Sequence, residues 1–161
     1  MTVEEYNDSV NKYSDGLYRF VLKNIRDEEQ ARDIIQDTFE KLWVRVSEVS
    51  AVKVKSYLFT TAYHTMIDVI RKESRKETYD SIPPVEDVHT DQYSDLQEIL
   101  SQAIERLPEA QRSVILLRDY EGYSYSEISE ITGLSEAQVK VYIYRGRVFL
   151  KNYIGSMESV I

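Results

Sequence analysis

Between Tyr125 and Leu150 the chain reverses direction at a single glycine, and this stretch constrains the fold more than any other. Ile128 and Ile131 belong to a short helix. Gly133 falls where that helix must end and the chain must turn sharply, as a glycine does in the left-handed conformation. Leu134 can plug the turn, and Ser135 is a good N-cap for a second helix. Downstream, Val139, Ile143, Gly146 and Leu150 recur at four-, three- and four-residue steps, which places them on one face of that helix. Gly146 allows close approach of a neighbouring helix. Short helix, glycine turn, cap and second helix, in that order, form the pattern of a helix-turn-helix, whose second helix lies in the major groove. The opposite face carries Gln138, Lys140, Val141, Tyr144 and Arg145. It offers an amide, two cations and two groups suited to apolar contact with thymine methyls.

The remainder also reads as helix, and no stretch alternates cleanly between apolar and polar residues as a strand would. A first block runs from about Val3 to Glu77. Within it, Glu29 to Val46 places Ala31, Ile34, Ile35, Phe39, Leu42, Trp43 and Val46 on one stripe. Asp33, Asp37, Glu40 and Val44 keep the same rhythm on the other side. Ser47 to Lys55 is predicted to be a loop and Ser56 to Ser74 the next helix. A second block begins near Asp95, where Leu96, Ile99, Leu100, Ala103, Ile104 and Leu107 make a stripe that Pro108 stops. Glu109 to Tyr120 resumes it. Between the blocks, Pro83-Pro84 and a run of acidic and small polar residues have little to bury. The expected architecture is all-α: two small helical domains, 1–78 and 95–161, joined by a flexible acidic linker, 79–94.

Composition excludes several functions. Cysteine is absent, so no disulfide or thiolate metal site exists, and the chain suits a reducing cytoplasm. Two histidines, His64 and His89, are too few for a multi-histidine metal site. The glycines are scattered, so no phosphate-cradling loop is present. No metal, cofactor or catalytic residue is implied. The polar, acidic N-terminus is not a secretory signal, and no apolar run is long enough for membrane insertion.

The net charge of -8 is unexpected for a nucleic-acid binder, but its distribution matters more than its sum. Asp80 to Glu105 holds seven acidic residues and no Lys or Arg. Lys53, Lys55, Arg71, Lys72, Arg75 and Lys76 form one basic island, and Lys140, Arg145, Arg147 and Lys151 form another. Near the first island, Phe59, Tyr63 and His64 combine stacking groups with the phosphate-contacting Arg71 and Lys72, as capture of a single strand requires. The acidic linker can fold back on both islands and compete with phosphates for the same cations. The Asp33, Gln36, Asp37 and Glu40 surface is suited to basic residues on a partner protein.

Two motif sets resemble one family. Leu107-Pro108-Glu109-Ala110-Gln111-Arg112, with Glu121-Gly122 through Val139-Lys140 and Arg145-Gly146-Arg147 after it, resembles region four of the extracytoplasmic-function (ECF) sigma factors of bacterial RNA polymerase. Ala31 through Trp43 is similar to the polymerase-binding helix of sigma region two. Tyr57-Leu58-Phe59 through Arg71-Lys72 is similar to the helix that opens and reads the minus-ten promoter element. Val141, Gly146, Tyr57 and His64 depart from the residues usual in that family. The resemblance implies core RNA polymerase docked at Asp33, Gln36, Asp37 and Glu40, and minus-ten DNA at Phe59, Tyr63, His64, Arg71 and Lys72. It implies minus-thirty-five DNA at Gln138, Lys140, Val141, Tyr144 and Arg145. In such proteins the 47–55 loop helps to hold a flipped base, and an anti-sigma factor is a further implied partner. Two other readings are a helix-turn-helix regulator acting without polymerase, and an enzyme using the linker carboxylates, which are better explained as solvated charge.

Overall fold

The computed structural model describes residues 1–77 and 95–158; the linker expected over 79–94 lies outside the described residues. All regular structure among the described residues is helical: α1 (Val3–Ile25), α2 (Glu28–Val44), α3 (Val54–Glu77), α4 (Asp95–Arg106), α5 (Glu109–Ile115), α6 (Tyr125–Thr132) and α7 (Glu136–Glu158), with a π-helical turn at Leu116–Tyr120.

Local chemistry sets the helix ends. Thr2 caps α1 by a reciprocal pair: its hydroxyl accepts from the Glu5 N–H at 3.0 Å, and its own N–H donates to the Glu5 carboxylate at 2.9 Å. Arg26 takes the left-handed conformation with φ 59°, and Asp27 accepts from the Gln30 N–H to start α2 at once. The chain thereby turns a tight corner that lays α2 against α1. α3 then packs across both. In the second half, Ser124 and Glu127 repeat the reciprocal cap at the start of α6. Gly133 ends that helix with φ +79°, as expected for a residue without Cβ.

The predicted helix over Glu109 to Tyr120 is the element that differs. It is α-helical only to Ile115 and then widens by one residue: the Glu121 N–H donates to the Leu116 carbonyl at 3.0 Å, and the Tyr123 N–H to the Leu117 carbonyl at 3.0 Å. The wider turn ends in Gly122 at φ +76° and swings Tyr123 inward.

The larger finding is that the two halves share one apolar core. Leu17, Phe20, Leu42, Leu58 and Met66 of the first half are continuous with Val114, Leu117, Ile128, Val139 and Ile143 of the second. Tyr123 sets its ring edge-on to Phe59 at 4.9 Å. Asn24, buried on α1, accepts at Oδ1 from Arg112 Nε at 3.1 Å and from the buried Ser113 hydroxyl at 3.2 Å. Ion pairs Arg19–Glu121, Arg26–Glu105 and Lys55–Glu127 rim the contact.

Candidate polymerase and nucleic-acid interfaces

α7 has the two faces expected of it. Val139 and Ile143 are buried. Gly146 lies so close to α5 that a Cβ there would meet Ile115 Cγ1 at 2.8 Å, so the missing side chain lets α7 seat directly on α5. Outward, Gln138, Lys140, Val141, Tyr144 and Arg145 are all exposed, Tyr144 by 71%. Gln138 is already engaged. Its Oε1 accepts from the Ser135 N–H at 3.0 Å and from the Ser135 hydroxyl at 3.2 Å, while its own N–H donates to Ser135 Oγ at 3.1 Å. Gln138 is therefore the third residue of a capping box, and its carbonyl oxygen is taken up by Ser135. Arg147, counted in the basic island, is likewise structural: its guanidinium grips both oxygens of Asp119 and ties α7 to the π-helical turn.

On α2, Asp33, Gln36 and Glu40 are exposed and Asp37 is half-buried. Asp37 pairs with Lys41 at 3.0 Å, and the Gln36 amide donates to Glu40 at 3.3 Å. Both are exposed side-chain contacts within one helix, of a kind worth only about 0.2–0.5 kcal/mol, so a partner can displace them. Trp43, assigned to the inward stripe by its spacing, is 48% exposed; it leans edge-on against Tyr6 at 5.0 Å, beside an exposed Val44. The acidic face therefore ends in an apolar patch.

α3 requires a correction. Phe59 is 1% exposed and Tyr63 9%, so neither ring is presented to a base in this arrangement. Phe59 packs between Phe20 and Tyr123, and burial, then the nearby Glu109 charge, push the Tyr63 hydroxyl above its usual range. Phe59 is covered by Tyr123, in the segment before α6, while Tyr63 lies near Glu109 at the start of α5. His64, Arg71 and Lys72 are exposed as expected. They do not converge on one cavity: His64 lines one with Tyr57 and Glu40, and Lys72 lines another with Asp33 and Asp37. A further cavity between the 45–53 loop and the start of α3 is lined by Val49, Lys53, Ser56, Tyr57 and Thr60, with Glu130 of α6 at its wall. The sequence offered no sign of that last carboxylate, since nothing local relates α6 to the loop.

Residues 10–76 match the family Sigma-70 region 2, and residues 97–150 match Sigma-70, region 4. The ECF RNA polymerase sigma factor SigM of Bacillus subtilis is 30% identical over 156 residues, covering 94% of each chain. The chain belongs to the ECF family of RNA polymerase sigma factors. As a sigma factor it directs RNA polymerase to promoters, and a regulator acting without polymerase is not favoured. A second relative, the ECF sigma factor SigE of Mycolicibacterium smegmatis, is 28% identical over 163 residues, covering 96% of this chain and 63% of the relative. The fold matches that of the sigma factor RpoE from Bartonella quintana, solved in complex with the anti-sigma factor NepR. Its TM-score is 0.80 at 24% identity, with 95% of this chain and 98% of that chain covered. No helix among the described residues is long and apolar enough to cross a membrane.

Proposed function

We propose that this sigma factor divides its work between residues 1–78 and 95–161, with 79–94 as the connection. The first part docks on core polymerase through Asp33, Gln36, Asp37 and Glu40. The neighbouring apolar group Trp43 supplies the buried anchor that such an interface needs. The same part opens and holds the minus-ten strand with His64, Arg71, Lys72 and the cavity behind the 45–53 loop. Phe59 and Tyr63 support that surface from inside. The second part places α7 in the major groove of the minus-thirty-five element, with Lys140, Val141, Tyr144 and Arg145 facing the bases and phosphates. Gln138 holds the start of the helix and offers only its amide N–H group outward.

The observation that carries this reading is the coexistence, on one chain, of an exposed acidic face on α2 and an exposed cationic and aromatic face on α7. The reaction is polymerase's own, and the chain contributes binding and strand separation rather than catalysis. It acts in the cytoplasm, where polymerase and promoter are. An anti-sigma factor is its regulator, by analogy with the Bartonella quintana complex. Run-off transcription with purified core polymerase on genomic fragments tests the reading: defined transcripts are expected only when the chain is added. A folded chain that neither binds core nor starts transcription refutes it.

A further inference from the structure

A cavity of about 640 Å³ lies between α1, the start of α2, α4 and the π-helical turn, and it shares no residue with the docking face of α2, with α3 or with the outer face of α7. That volume falls in the range of about 300–1,000 Å³ that holds a small organic molecule. Leu22, Leu100, Ile104 and Tyr120 contribute apolar wall. The three charged residues that line it differ in how they are partnered. Arg26 pairs with Glu105 at 3.0 Å, and Glu28 pairs with Arg32 at 3.3 Å. Lys23 forms no ion pair among the described residues. Its ammonium lies 3.5 Å from the centre of the Tyr120 ring instead. Glu121, whose charge reaches Lys23, is already held through both oxygens by Arg19. Burial, then the Arg19 charge, hold the Lys23 pKa below its usual value. A cation drawn partly out of water and left to an aromatic face is stabilised when an anion reaches it.

We propose that this cavity is a binding site for a small amphipathic organic anion, whose single carboxylate pairs with Lys23 while its apolar body lies against Leu22, Leu100 and Ile104. One negative charge is what the lining leaves unmatched, because Arg26 and Glu28 already have partners. An inorganic anion would satisfy Lys23 and leave the apolar wall wet. A neutral apolar molecule would cover the wall and leave Lys23 unpaired. A carboxylate on an apolar body does both, and its hydrogen bond to the ammonium is charge-assisted on both sides.

Isothermal titration calorimetry of the full chain with octanoate and its neutral twin octanamide tests the site. Octanoate is expected to bind one site about tenfold or more tightly than octanamide, the margin of one hydrogen bond to a charged group. In Lys23→Met, which keeps the apolar stem, the two are expected to bind within about threefold of each other. Lys12→Met is the control. Lys12 also faces a tyrosine ring, that of Tyr13 at 5.5 Å, but lies outside the cavity, so the preference for octanoate is expected to persist. Leu100→Trp fills the cavity and leaves Lys23 in place; it is expected to remove binding of both probes, and it decides the matter should Lys23→Met fail to fold by circular dichroism. Equal binding of the two probes by the unmodified chain overturns the proposal, as does a preference that survives Lys23→Met in a folded chain. Absence of saturable binding, or binding untouched by Leu100→Trp, overturns it too. So does octanoate binding that appears only after Asp80, Glu86, Asp87 and Asp91 are changed to Asn or Gln, since the cavity would then belong to this chain's own acidic stretch.

Discussion

Replacing Asn24 by Ala tests the packed arrangement most directly. The Asn24 amide donates to the Phe20 carbonyl at 2.9 Å within its own helix, while its oxygen accepts from Arg112 and Ser113 across the contact. Removing it leaves the fully buried Ser113 hydroxyl without that acceptor, which costs about 1–3 kcal/mol. Arg112 keeps one bond, to the Glu105 carbonyl at 3.3 Å, but its guanidinium is partly desolvated, and burial already lowers its pKa. The expected loss is about 2–4 kcal/mol, near the upper end for a single buried hydrogen-bonding group. Urea unfolding monitored by circular dichroism measures it through the midpoint at constant slope. The diagnostic is the double change. Ser113→Ala alone removes a donor from Asn24 and is expected to destabilise by about 1 kcal/mol. In the Asn24→Ala background it removes an orphan instead and is expected to be neutral or stabilising, giving a coupling of about 1 kcal/mol. A loss below about 0.5 kcal/mol for Asn24→Ala, with additive behaviour in the pair, would refute the contact between the halves, since that is the range of an ordinary surface change.

The exposed faces and the glycine turn carry further expectations. Asp33→Lys with Asp37→Lys is expected to abolish core-polymerase pull-down with helix content unchanged by circular dichroism, because the one ion pair lost is an exposed contact within α2. Lys140→Ala or Arg145→Ala is expected to weaken binding to the upstream element by about 1–3 kcal/mol where a base is contacted, and to reduce the salt slope where a phosphate is contacted; titration by anisotropy at two salt concentrations separates the two. Gly133→Ala is expected to lower stability by about 1–2 kcal/mol in a melting experiment, because φ +79° is left-handed and nothing lies within 4 Å to compensate.

The features legible in the sequence alone were those that depend on near neighbours in the chain. Helix periodicity placed Ala31, Ile34 and Leu42 inward and Asp33, Glu40 and Val44 outward, because a 3.6-residue repeat sorts a helix by faces whatever it packs against. The left-handed turn at Gly133 and the cap at Ser135 were readable for the same reason, being fixed by a missing Cβ and a hydroxyl three residues from its donor. Tertiary structure decided the rest. Phe59 and Tyr63 keep the same spacing whether they meet a base or a core; in the folded chain Phe59 lies between Phe20 and Tyr123, and Tyr63 is buried near Glu109 of α5. Trp43 sits on the apolar stripe by count, yet it remains half in solvent, with the Tyr6 ring against one edge. The π-helical turn and the Asn24–Arg112–Ser113 cluster leave no periodic trace, because each depends on complementarity between segments far apart in the chain. One polar residue on α1 finds its partners only when α5 is laid beside it, and that pairing is set by the shapes of both halves together.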